Sequence, residues 1–321
     1  MCRQGRRIFG LGLACWLLCC AAAGASVAPR LQLIAEPQAG IGPLLSLISK
    51  ARSSIELTIY ELTDPAVERA LGAAASRGVQ VRVLLNGGYY RQRESTNEAA
   101  FSYLTAHRVS VRFAPTYFAL THQKTLTVDG DLSAIMTLNF DGLYRTTRDF
   151  AILDRNREDV RAIVDAFDDD WAARRDIPSR GAGDLIWSPG AEGAIMKLIA
   201  SARHTLDLEN EEMDYTPATD AICAAARRGV RVRIVMTYDS EWSASLAALE
   251  RCGASVHLFH GQAYYIHAKL LIADRRIGFV GSQNLSTTSL LYNRELGIEL
   301  GAGAVLNQLD RDFASDYTRA G

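Results

Sequence analysis

This 321-residue chain is written twice, and that duplication limits its folding more than any single motif. The stretch ASRGVQVRVLL at 75–85 returns as ARRGVRVRIVM at 226–236. Arg52-Ser53-Ser54-Ile55-Glu56-Leu57 returns as Arg203-His204-Thr205-Leu206-Asp207-Leu208 at the same offset of 151. The predicted elements repeat with it. Leu44, Leu45, Leu47 and Ile48 form one helical stripe, and Ile195, Leu198 and Ile199 form another. Asp64-Pro65 and Thr216-Pro217 each read as a helix N-cap with proline at the first helical position, and Gly78 and Gly229 close those helices. Alternating strands VQVRVLL and VRVRIVM follow, then helices near 97–107 and 243–251 and strands near 109–113 and 255–259. Each half ends in three more strand-like runs and a helix, at 158–174 and 302–318. Strands alternating with helices give an α/β class with parallel strands, and the closely spaced last strands give an antiparallel hairpin. Two like halves dock about a pseudo-twofold axis, as two subunits would, with a shared groove on that axis.

The boundaries follow from composition. Arg3, Arg6 and Arg7, the uncharged run Ile8–Ala22 and Ala23-Gly24-Ala25 read as a signal peptide over 1–25. The run of about 15 apolar residues is short of the roughly 20 that span a bilayer, which favours cleavage over a retained anchor. Residues 26–174 are then the first half, the Pro/Gly/Ser-rich 175–184 a linker and 185–321 the second half. The expected location is secreted or periplasmic. Cleavage takes three arginines and no acid from a chain of formal net charge −1, leaving −4. Cys223 and Cys252 remain in a disulfide-permissive setting, either paired or as two buried thiols.

The chemistry lies in HQKTLTVD, His122 to Asp129, and HAKLLIAD, His267 to Asp274. Both read H-x-K-x4-D. Each is followed by a polar cluster, Met136-Thr137-Leu138-Asn139 or Gly281-Ser282-Gln283-Asn284, and then an acid, Asp149 or Glu295. Residues two apart on an extended chain share a face, so each histidine sits beside its lysine. A return strand brings Thr137 with Asn139, and Ser282 with Asn284, next to those pairs. The acid of a third strand can then fix each histidine's tautomer. One imidazole, one ammonium, one hydroxyl and one amide per half are donors for a tetrahedral anion. Two such sets suit phosphodiester cleavage: one neutral histidine attacks phosphorus, the other protonates the leaving oxygen, and the lysines and amides stabilise charge. This chemistry requires no metal or other cofactor. A lone strand histidine is usually a core residue; its duplication in register argues for catalysis.

The duplicated H-x-K-x4-D motif resembles the signature of the phospholipase D superfamily over nearly all of the chain beyond the leader. The resemblance implies two α/β/α sandwich halves with the active site at their interface. It implies His122 as nucleophile and His267 as acid/base, with Lys124, Lys269, Asn139 and Asn284 on the phosphate, supported by Thr137 and Ser282 as substrate-binding residues. It further implies Asp149 and Glu295 as orienting acids, and Asp129 and Asp274 as structural turn residues. Met136-Thr137 departs from the family's Gly-Ser and leaves the roles of Thr137 and Asn139 open.

The expected activity is hydrolysis of phosphatidylcholine-type lipid to phosphatidic acid, with transient membrane-surface contact. The alternatives are phosphatidyl transfer through the same intermediate, a metal-independent nuclease, and a decayed site serving only for binding. Net charge disfavours nucleic acid, unless Arg77, Arg82, Arg91, Arg93, Arg227, Arg228, Arg231 and Arg233 share a face. The chain is read as a monomer containing an internal pseudo-dimer. Tyr117-Phe118, Tyr264-Tyr265 and Leu290-Leu291-Tyr292 are rim candidates, and 87–95 is a polar loop. The Asp168–Asp170 run reads as a solvated helix face, and His257 and His260 as solvated or capping residues rather than metal ligands.

Overall fold

The computed structural model describes residues 1–2, 29–87, 97–261 and 263–321. The expected leader at 1–25, beyond its first two residues, and the expected polar loop at 87–95 with Arg91 and Arg93, beyond Gly87, lie outside the described residues.

The first half runs β1 (Leu31–Glu36), α1 (Gly42–Lys50), β2 (Ser54–Ile59), α2 (Pro65–Ser76), β3 (Gln80–Leu85), α3 (Glu98–Ala106), β4 (Ser110–Phe113), β5 (Thr125–Val128), β6 (Leu132–Met136), β7 (Thr147–Asp154) and α4 (Arg157–Trp171). The second runs β8 (Leu185–Ser188), α5 (Glu192–Ser201), β9 (Thr205–Glu209), α6 (Thr216–Arg227), β10 (Arg231–Thr237), α7 (Ser243–Arg251), β11 (Ser255–Phe259), β12 (Tyr265–Ile266), β13 (Leu270–Ala273), β14 (Ile277–Gly281), α8 (Thr287–Leu291), β15 (Glu295–Gly301) and α9 (Ala304–Ala320). The sheet orders are β1-β7-β6-β5-β2-β3-β4 and β8-β15-β14-β13-β9-β10-β11, the same topology twice. In each, three strands are parallel and an antiparallel hairpin follows, so the fold is the two-halved α/β architecture expected.

Both faces of each sheet are covered, which is why the central strands read as near-continuous apolar runs. Alternation along β7 divides its side chains: Ala151 and Leu153 enter the first half's own core, while Phe150 and Ile152 enter a third core. That third core mixes Ile135, Phe150 and Ile163 with Leu270, Ile272, Ile298 and Phe313. It welds the halves together.

Two local expectations shift. Asp64 caps α2 by accepting from the Ala66 N–H at 2.7 Å, but the N-cap of α6 is Tyr215, with Thr216 already helical. The Asp168–Asp170 run is not a solvated face: Asp170 is buried and takes both arms of Arg294 at 2.7 Å. Helical periodicity turns the third residue of such a run inward, toward the other half. Cys223 on α6 and Cys252 after α7 form a disulfide, with a Cα separation of 5.4 Å. Cross-linking residues 29 apart restricts the unfolded chain by about 3–4 kcal/mol in the chain-entropy account.

Candidate active site

The histidines do not lie on regular strands. His122 and Lys124 sit on the extended run entering β5, and His267 and Lys269 on the run entering β13. In both, the lysine Nζ turns back to its own histidine's carbonyl; for Lys124 the distance is 2.8 Å.

What fixes these runs is the opposite half. The His122 and Gln123 N–H groups donate to the Arg294 carbonyl at 2.9 and 2.8 Å, and the His267 N–H donates to the Arg148 carbonyl at 3.2 Å. Thr121 bridges Arg294, and β12 pairs in parallel with the start of β7, Ile266 opposite Arg148. The segment leading to each histidine is therefore paired with the strand carrying the other half's acid. The side chains cross accordingly. His122 Nδ1 lies 3.0 Å from Glu295 Oε2, and His267 Nδ1 lies 2.7 Å from Asp149 Oδ1. Each acid orients the histidine of the other half.

The arginines preceding the two acids complete this crossing. Arg148 Nε donates to Asp316 on α9 at 2.5 Å, and Arg294 donates to Asp170 on α4. All four side chains are buried. Sequence reasoning missed these pairs, although an arginine stands directly before both acids.

Both imidazoles open onto one cavity of about 580 Å³, lined from both halves by Tyr60, Asn139, Asp149, Glu211, Tyr265, Asn284 and Glu295 among others. Asn139 and Asn284 are buried, and the Oδ1 of each has no partner among the described residues. Lys124 and Lys269 are fully buried beside the cavity.

Burial, then the Lys124 charge, pushes the His122 imidazole down to about 4. Burial, with Lys269 nearby, pushes Lys124 down to about 7. Burial alone would raise Glu295, but His122 and its hydrogen bond, Lys124 and Ser289 hold it below the usual range. Burial opposes ionisation of Asp149 in the same way and is outweighed by His267, Lys269 and Thr137. A neutral His122 thus donates a hydrogen bond from its Nδ1–H to an ionised Glu295 and keeps a lone pair on Nε2.

The substrate-binding expectation for Thr137 and Ser282 is corrected. Both are fully buried and neither lines the cavity. Thr137 Oγ1 donates to Asp149 at 2.5 Å and accepts from the Phe150 N–H. Ser282 is bonded to the Leu296 backbone. In the second half Ser289, at 2.5 Å, and Asn293, at 3.0 Å, hold Glu295 instead. Met136 does not narrow the cavity; it packs in the first half's core. Its counterpart Gly281 lies against Phe279, whose repeat equivalent is Ala134, so the halves exchange Gly-plus-Phe for Met-plus-Ala at similar volume.

Asp129 and Asp274 lie far from this chemistry. Asp129 accepts from the N–H groups of Arg52, Ser53 and Ser54, and Asp274 from those of Arg203, His204 and Thr205, fastening each hairpin to the start of β2 or β9. Among the described residues, no arginine of the suggested basic face lines the cavity. Arg82 is paired with Glu56 and Asp168, and Arg233 with Asp207. Of the rim candidates Tyr265 lines the cavity, whereas Tyr264 is buried against Asp316. His257 is stacked on Tyr317.

A family model described as cardiolipin synthase, PLD-like domain, matches residues 44–171 and 195–317. A cardiolipin synthase A of Pseudomonas aeruginosa is 26% identical over 339 positions, covering 89% of this chain and 67% of that protein. Among solved structures, a polyphosphate kinase from Porphyromonas gingivalis superposes with a TM-score of 0.65 at 16% identity, over 88% of this chain and 46% of its own. A phosphatidylserine synthase from Haemophilus influenzae superposes with a TM-score of 0.68 at 13% identity, over 90% of this chain and 86% of its own. These two likenesses show the shared fold.

Proposed function

Since this chain belongs to the cardiolipin synthase, PLD-like domain family and is an enzyme of the phospholipase D superfamily, we propose that it transfers the phosphatidyl group of a phospholipid to an alcohol. The observation that carries this reading is the crossed pairing, which gives two oriented imidazoles one cavity. His122 Nε2 attacks phosphorus, the bond to the head-group oxygen breaks, and His267 gives that oxygen its proton. The acceptor alcohol then returns a proton to His267, its oxygen attacks phosphorus, and the phosphorus–nitrogen bond to His122 breaks. Lys124, Lys269 and the amides of Asn139 and Asn284 stabilise the equatorial oxygens.

Transfer now stands ahead of the hydrolysis expected from sequence, because the matching relatives are synthases. The cavity wall supports a lipid over a nucleic acid. Its described solvent-facing part carries Asp141, Asp214 and Asp239, a poor surface for a polyanion. The disulfide and the leader support a secreted or periplasmic protein.

The test is incubation, with chelator present, with labelled phosphatidylcholine or phosphatidylglycerol vesicles across a glycerol series, and separately with single-stranded DNA. Phosphatidyl-alcohol should form at the expense of phosphatidic acid as glycerol rises. Phosphatidic acid alone at every glycerol level rejects transfer, and DNA cutting with intact lipid rejects the lipid substrate.

A further inference from the structure

Glu211 carries no part of the duplicated motif, yet its carboxylate reaches the second half's anion donors. Its Oε2 lies 2.8 Å from Lys269 Nζ, 3.4 Å from Asn284 Nδ2 and 3.5 Å from His267 Nε2. Tyr265 OH donates to Oε1 at 3.1 Å and holds the group in place. Burial works against the charge, but Lys269 and His267 keep the carboxyl far below its ordinary range, so it is an anion here. One carboxylate oxygen thus meets the three groups expected to meet a phosphate oxygen.

Among the described residues, no first-half carboxylate is bonded to His122, Lys124 or Asn139. The repeat offset places Tyr60 opposite Glu211, and the matching bridges Leu62–Phe140 and Met213–Leu285 confirm the register. Tyr60 meets His122 edge-on and lies 5.1 Å below Lys124 Nζ, an aromatic face where the second half has a negative charge. His122 and Asn139 line the cavity beside a neutral ring, whereas His267, Lys269 and Asn284 are already engaged by an anion.

We propose that Glu211 occupies the second half's anion seat and makes the cavity select singly charged phosphodiesters over dianions such as sulfate or inorganic phosphate. The inference rests on the reading of this cleft as a phosphodiester site. A diester monoanion can settle on the first half's Lys124 and Asn139, and displaces Glu211 with one oxygen. A dianion brings a second charge against the same carboxylate and has no head group to offset the repulsion.

Binding of sulfate, a dianion, and dimethyl phosphate, a monoanion, is measured by calorimetry on the whole chain as wild type, E211Q and Y265F. E211Q preserves shape and removes the charge; its sulfate affinity should rise by about tenfold or more, and its dimethyl phosphate affinity by less. Y265F frees the carboxylate without removing it, so sulfate should tighten by a smaller factor. That variant carries the test if E211Q fails to fold. Sulfate affinity unchanged or weakened in a folded variant overturns the inference and leaves the phosphodiester reading standing. Failure of every form to bind either anion overturns both.

Discussion

His122 and Lys124 share one buried corner, and their protonation states oppose each other. His122 serves as a nucleophile only when neutral, above about 4. Lys124 aids an anionic phosphorus centre only when charged, below about 7. The value of kcat/KM should therefore rise as pH increases through about 4 and fall through about 7. Arginine stays charged in proteins, so K124R should move the alkaline limb upward and leave the acid limb in place. A pH–rate profile of the two forms measures this; an alkaline limb that does not move assigns it to another group. The H-x-K spacing was legible in the sequence because an extended backbone puts alternate side chains on one face, whether or not it is hydrogen-bonded as a strand. The burial that shifts both groups was not, since the matter excluding water comes from distant parts of the chain. The misreading of Thr137 and Ser282 has the same origin. A hydroxyl beside a phosphate motif reads as a ligand until the fold shows it bonded to an acid or a backbone.

The hairpins β5–β6 and β13–β14 show one element built from two sequences. Each turn needs two left-handed residues. The first supplies Asp129 and Gly130, at φ 55° and 64°, and the second Asp274 and Arg275, at φ 54° and 56°. Glycine adopts this region freely, whereas a side chain is strained there. R275G should stabilise the protein by about 0.5–1 kcal/mol, because the exposed Arg275–Asp310 pair it removes contributes little. A higher denaturant midpoint at unchanged slope is the expected result; a lower midpoint shows that the pair outweighs the strain. The same element explains the motif's last residue. Asp129 and Asp274 stand where the chain turns, so their carboxylates can reach three backbone N–H groups at the entry to the adjoining strand. Turn residues and strand alternation are local, which is why these elements were readable. The N-cap of α6 was misplaced by one residue because a threonine before proline looks like a cap until Tyr215 takes that position.

At the scale of the molecule, two buried ion pairs, Arg148–Asp316 and Arg294–Asp170, tie each half's acid strand to the other half's last helix. Removing Asp170 leaves Arg294 buried without its carboxylate, so D170N should destabilise by about 3–5 kcal/mol; D316N should cost less, because the buried Glu209 carboxyl also acts on Arg148. Both should also lower kcat at temperatures where the chain stays folded, because Glu295 and Asp149 follow their arginines. Denaturant unfolding and steady-state rates measure the two effects. Full stability in D170N removes the lock, and full activity in a destabilised variant separates it from the site.

The duplication, the alternation of strands and helices and the paired motifs followed from sequence alone, because each depends on neighbours in the chain or on repetition of the same pattern. Two imidazoles, their lysines and two acids could be named from the same text. Which acid serves which histidine was decided by tertiary structure, since the backbone at each arginine pairs with the run before the other half's histidine. So was the position of Glu211, whose repeat partner is a tyrosine and whose meaning depends on the three donors around it. Local rules act through backbone geometry a few residues long; a site on a pseudo-twofold axis is made from contacts more than a hundred residues apart.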